Sequence, residues 1–99
     1  MKAHEIAAAA AALVGGDRNR VYGDVLDCHE RIADVWNGIL RAAGKPTDTP
    51  LDAHDVANLM EGLKIARRYT GPFHRDNYID GSGYSGVAGE IKSRMDKEA

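Results

Sequence analysis

The stretch DVLDCHERIADVWNGILRAA, residues 24–43, decides the fold. Its apolar side chains Val25, Cys28, Ile32, Val35, Trp36, Ile39 and Ala43 recur at three- and four-residue intervals, one stripe of a 3.6-residue period. Asp24 stands where a carboxylate caps the first free N–H groups of a helix, and Gly44 and Pro46 end the pattern. A helix over residues 24–43 follows. Downstream, a loop holding Pro46 and Pro50 leads to a second helix over residues 52–69, capped near Asp52 and closed by Gly71-Pro72. Val56, Leu59, Met60, Leu63 and Ile65-Ala66 supply its apolar positions.

Upstream, the alanine run that ends at Ala12 is strongly helix-forming, and Gly15-Gly16 is a natural stop, so a short helix spans residues 2–14. That run also has the outline of a secretory leader, but His4 and Glu5 interrupt it and alanine is weakly apolar, so packing is its expected role. Asp17-Arg18-Asn19-Arg20 reads as a polar link. A last helix covers residues 76–97, although Gly81, Gly83, Gly86 and Gly89 each cost it about 1 kcal/mol relative to alanine. No period-two alternation reaches a useful length. The expectation is an all-α single domain over residues 1–99, a bundle of about four helices with the first one short.

Composition sets limits on function. The 99 residues carry 13 basic and 15 acidic side chains, a net charge of −2, without the basic excess that a general nucleic-acid binder needs. A chain of this length buries only about 60–65% of the surface its unfolded form exposes, so a homo-oligomer is expected to supplement the core. The one cysteine, Cys28, cannot close an intrachain disulfide, which fits a reducing, cytoplasmic setting. No run approaches the roughly 20 apolar residues of a membrane span.

Helical angles then select the polar residues that face inward, since each residue advances about 100° around the axis. On the 52–69 helix, Arg67 falls near the centre of the arc of Val56, Leu59, Met60, Leu63 and Ala66. On the last helix, Asp80 and Asp76 fall within the arc of Tyr84, Val87 and Ile91. A buried charge without a partner costs several kcal/mol, so Arg67 and Asp80 are expected to meet, directly or through an ion. Two readings remain open. The pair is a structural salt bridge fixing helix register, or Lys64 and Arg67 form a phosphate-binding edge while Asp76 and Asp80 offer a hard oxygen pair for magnesium.

Other patterns carry less. Asp27, Glu30 and Asp34 have metal-helix spacing but lie opposite the apolar stripe, which points to a solvated face unless another subunit meets it, in which case His29 could join them. His29, His54 and His74 lack the paired spacing of a zinc site. Gly81-Ser82-Gly83-Tyr84-Ser85-Gly86 has the glycine spelling of a dinucleotide loop but neither the preceding strand nor the room for a βαβ unit. Ser82, Ser85, Gly86 and Gly89 are instead expected to form a small-residue ridge that lets another backbone approach. Cys28 reads as a packed thiol, and Tyr22-Gly23 as a tight turn whose tyrosine is able to stack on a base.

Tyr22-Gly23-Asp24 ahead of a helix with Trp36, Asp55-Val56 opening a run to Leu63-Lys64-Ile65-Ala66-Arg67, and Asp76-Asn77-Tyr78-Ile79-Asp80 leading to Gly83-Tyr84 resemble a family of small helical proteins of bacteriophages and prophages. Over residues 18–90 the chain also resembles, more distantly, the all-α NTP pyrophosphatase (MazG-like) superfamily. That resemblance implies a helical dimer or tetramer that binds a nucleoside triphosphate through Mg2+ and releases pyrophosphate. Carried onto this chain, it gives Asp76, Asp80 and Glu61 as magnesium ligands and Lys64 and Arg67 as phosphate-neutralising residues that with the two aspartates form the catalytic set. Tyr22, Tyr84 and Asn77 become nucleotide contacts. The superfamily's quartet of acidic residues is incomplete: Glu30 and Asp34 are spaced by four and turned away, and Lys64 stands where a partner of Glu61 belongs. Nucleotide binding is therefore the firmer expectation, hydrolysis the weaker. The alternatives are a non-catalytic binder that sequesters a nucleotide signal used in antiphage defence, and a structural interaction module.

Overall fold

In the computed structural model, which describes residues 1–98 and of residues 17–19 and 98 the backbone alone, five helices follow one another: α1 (Ala3–Val14), α2 (Asp17–Tyr22), α3 (Val25–Ala42), α4 (Ala53–Arg67) and α5 (Arg75–Glu98). No strand occurs among the described residues. The all-α expectation holds, with four of the helices within about two residues of their expected limits. The fifth corrects the polar link. Residues 17–22 form a six-residue helix, too short to display a 3.6-residue stripe, and Gly23 at φ 79° turns the chain out of it.

Local chemistry fixes the ends of the longer helices. Asp24 Oδ2 accepts a hydrogen bond from the Asp27 amide at 3.3 Å at the start of α3. Asp52 and Asp55 form a reciprocal capping box at the start of α4, each carboxylate accepting the other's N–H at 2.9 Å. Gly44, at φ 74°, follows the last turn of α3. The following loop is tied back by Asn37, whose Nδ2 donates to the Leu51 carbonyl while its Oδ1 accepts the Leu51 N–H, both at 2.9 Å.

Packing centres on α5, which runs along α4 and α1, while α3 lies mainly against α4. Leu26, Ala53, Ala57, Val87, Ala88 and Ile91 form the buried cluster, with Val14, Val25 and Met95 at its margin. The core is rich in alanine, and Ile91 and Val56 are its largest fully buried side chains. Gly83 lets α1 approach α5, since a Cβ there would lie 3.2 Å from Val14 Cγ2. The residues of the expected ridge, Ser82, Ser85, Gly86 and Gly89, are exposed, and within the chain close approach to α5 is at Gly81 and Gly83.

At the far end of α5, Arg94 Nη1 donates to Asp24 Oδ1 at 2.7 Å and lies 3.4 Å from Glu90 Oε2. The Arg94 hydrogen bond holds the Asp24 carboxyl below its ordinary range, against partial desolvation, and Asp24 in turn raises the Arg94 guanidinium.

Two outcomes are expected in denaturant titrations. Ile91→Ala loses about 2–5 kcal/mol, the usual cost of emptying a buried isoleucine site. Because the Asp24 pKa is lowered on folding, its contribution is complete above the unfolded-state value near 4 and is lost as pH falls through the lower folded value. Asp24→Asn therefore shows a smaller loss of stability than the parent between about pH 4 and pH 2.

Candidate ligand site at the α4–α5 crossing

Lys64 in the last turn of α4 and Arg68, the residue that caps its C-terminus, are one turn apart on the side toward α5. Gly81 lies beneath them: a Cβ there would collide with Arg68 Nη2 and lie 3.6 Å from Lys64 Cβ. Lys64 Nζ sits 3.1 Å from Asp80 Oδ2, with the two side chains only 15% and 23% exposed. Arg68 closes the turn into α5 by donating from Nε and Nη2 to the Asn77 carbonyl at 3.3 and 3.1 Å. Its guanidinium carbon also lies 4.6 Å from the centroid of the Tyr78 ring, which Phe73 flanks at 5.7 Å.

Two spaces adjoin this crossing, and Asp80 lines both. One is a cavity of about 280 Å³, walled chiefly by apolar side chains of α1, α3, α4 and α5, including Val14, Ile32, Met60 and Val87. Its polar lining residues are Tyr22, Cys28, His29, Asp80 and Tyr84. Its size is at the lower end of the roughly 300–1,000 Å³ of small-molecule pockets. The other is an open groove of about 460 Å³ lined by Lys64, Arg67, His74, Asp76, Asn77 and Asp80, with Thr70, Pro72 and Phe73.

A direct Arg67–Asp80 pair does not form: Arg67 is exposed, and Lys64 takes its place against Asp80. Leu59 and Leu63, which pull the apolar arc toward Arg67, remain 49% and 42% exposed, whereas the buried line of α4 runs through Ala53, Val56 and Ala57 toward Met60 and Lys64. Asp76 is likewise exposed rather than inward, with Arg75 Nε 4.0 Å away. Asp27, Glu30 and Asp34 are on the solvated face. Tyr84 is half-buried and Tyr22 65% exposed on the cavity wall.

Among the described residues, the three expected to hold magnesium do not converge within ligand distance of one another. Glu61 lines neither space, Asp76 and Asp80 do not gather with it, and the Lys64 ammonium already neutralises Asp80. Among the described residues, three ligand-type side chains converge within 4.8 Å at Asp52, His54 and Asp55, where both carboxylates are engaged in the capping box. Arg68 escapes the sequence reading, although its four-residue distance from Lys64 signals it; His29, weighed there only as a metal ligand, lies instead on the buried line Leu26–His29–Ala33, beside the apolar stripe.

These features define a small all-α protein with an apolar cavity bounded by a largely buried ion pair. Residues 5–92 match the family described as "Domain of unknown function (DUF6378)", and the chain belongs to that family. It is similar to the "Gene 55 protein" of Mycobacterium phage L5, 36% identical over 85 residues, covering 86% of this chain and 51% of that protein. It is also similar to the "Gene 55 protein" of Mycobacterium phage D29, 35% identical over 79 residues, covering 80% and 48%. The chain thus spans about half the length of these relatives. No solved structure matches it. No helix among the described residues is long and apolar enough to cross a membrane.

Lys64→Met leaves the Asp80 carboxylate without its partner and is expected to cost about 1–3 kcal/mol in urea unfolding. Arg67→Ala, at an exposed position, stays within about 0.5 kcal/mol of the parent. Equal losses for the two would contradict this division of roles.

Proposed function

We propose that the protein binds a nucleotide, with the base in the apolar cavity and the phosphates over the adjoining groove. The observation that carries this reading is the position of Asp80, which lines both spaces and so makes them two compartments of one site. Arg67, exposed on the groove beside the Lys64–Asp80 pair, provides the guanidinium that phosphate oxygens require, and Tyr84 and Tyr22 provide aromatic rings at the cavity wall. The resemblance to all-α NTP pyrophosphatases supports the same ligand class.

The geometry favours binding over turnover. Attack of water on a phosphoryl centre draws on metal charge and an activated water, and the carboxylates that would supply both are dispersed or already paired with Lys64. A non-catalytic binder that withholds a nucleotide signal from an antiphage defence fits this, the similar proteins being those of phages. Calorimetric titration with mono-, di- and triphosphates and cyclic nucleotides, with and without Mg2+, is the test. The expected result is saturable binding that Arg67→Ala weakens by about tenfold without loss of fold, and no pyrophosphate release. Release that depends on Asp80 would instead establish the pyrophosphohydrolase. Failure of the whole panel to bind would remove the nucleotide reading.

A second reading, compatible with the first, is homo-oligomerisation. Val35 and Ile39 on α3 are each 60% exposed although they continue the stripe of Cys28 and Ile32, and Leu59 and Leu63 flank Met60 on α4. The radius of gyration, 14.7 Å, exceeds the roughly 13 Å of a compact 100-residue domain. Sedimentation of the parent as a dimer or larger, and of Ile39→Glu as a monomer, is the expected outcome. A monomeric parent at all concentrations would exclude it.

A further inference from the structure

His29 is a buried polar side chain that the ion pair leaves unused. It is 8% exposed on α3 and lines the apolar cavity. Its Nδ1 lies 2.7 Å from the Val25 carbonyl oxygen. A carbonyl only accepts, so Nδ1 carries the hydrogen, and in the neutral ring Nε2 is left as a bare acceptor. Among the described residues no donor reaches Nε2, and none of their buried side-chain nitrogens or oxygens is sealed from solvent without a partner. Nε2 is therefore accessible, on a ring that lines the cavity.

We propose that His29 selects the ring that enters this cavity, taking a flat heterocycle that presents an amino group to Nε2 over the same ring without it. Aminated nucleobases have that chemistry. An apolar wall accepts a flat ring without discrimination, whereas a fixed acceptor in such a wall, once the ring has displaced water from it, is satisfied only by a ligand that brings a hydrogen. Asp80 Oδ2 is paired with Lys64, and the Tyr22 and Tyr84 hydroxyls can turn to donate as well as accept, whereas His29 Nε2 is an acceptor only and fixed in direction by the Val25 bond. This inference rests on the cavity being the base compartment of the nucleotide site.

The test titrates the whole protein with two matched pairs: ATP against purine riboside triphosphate, and GTP against ITP, each second member lacking an amino group. At least one aminated nucleotide is expected to bind about tenfold more tightly than its counterpart. His29→Phe is expected to abolish that preference while phosphate-dependent binding persists, and His29→Gln, which restores a side-chain carbonyl acceptor, to recover part of it. In parallel, 15N chemical shifts of the free protein are expected to report His29 protonated at Nδ1 and bare at Nε2. Equal affinity within both pairs, a preference unchanged in His29→Phe, or a hydrogen on Nε2 would overturn this inference and leave nucleotide binding intact. Failure of all four nucleotides to bind would overturn both.

Discussion

The pairing of Lys64 with Asp80 is the constraint on which the placement of the other elements depends. Both side chains are more than three-quarters shielded, at the crossing of the two helices that share the largest contact. A charge in that position is tolerable only with its partner, so α4 and α5 are held in the one register that brings the two together. Gly81 follows Asp80 directly, and its missing side chain leaves room for Arg68 to reach the Asn77 carbonyl and the Tyr78 ring. The turn between α4 and α5 is thereby fixed from inside. The same crossing places Asp80 on the wall between the cavity and the groove, so the interaction that sets the fold also shapes the site.

Polar locks of this kind matter because the hydrocarbon core is modest. Alanines occupy much of the buried cluster, and full burial of a large aliphatic side chain contributes only about 1.5–3 kcal/mol. The Asp24–Arg94 pair joins the start of α3 to the last third of α5, and the two hydrogen bonds of Asn37 hold the long loop against α3. Each lies near an edge of the molecule. They restrain the segments that the apolar cluster does not reach, while Lys64–Asp80 ties α4 to α5 beyond it.

Periodicity made the four longer helices legible, because it is written into many residues at once and survives the misplacement of any one. The stripe of residues 24–43 and the capping aspartates at 24 and 52 located α3 and α4 closely. The inward orientation of single residues was less legible. On both α3 and α4 the strongly apolar side chains do not coincide with the line that touches the core: Val35, Ile39, Leu59 and Leu63 stay exposed, while Ala33, Ala53 and Ala57 are buried. Small residues allow helices to approach closely but add little to an apolar arc, so an angle computed from the large side chains points away from the contact. That offset moved the inward cation from Lys64 to Arg67. It also hid the burial of His29, which lies with Leu26 and Ala33 on the true contact line.

The same offset accounts for the cavity. Where α3 meets its neighbours through Leu26, His29 and Ala33, its larger stripe is swung to the side, and Cys28 and Ile32 become a wall facing Met60 of α4 and Tyr84 of α5. Gly83, on the same wall, is kept small by Val14 rather than by the cavity, so α1 cannot move inward to fill the space without displacing α5. Nor would hydrocarbon filling be neutral. It would cover His29 Nε2 without supplying a hydrogen-bond donor, at a cost comparable to a lost hydrogen bond. The fold therefore leaves a space that is apolar in area yet polar at a fixed point, which water or a ligand with a donor can satisfy and a methyl group cannot.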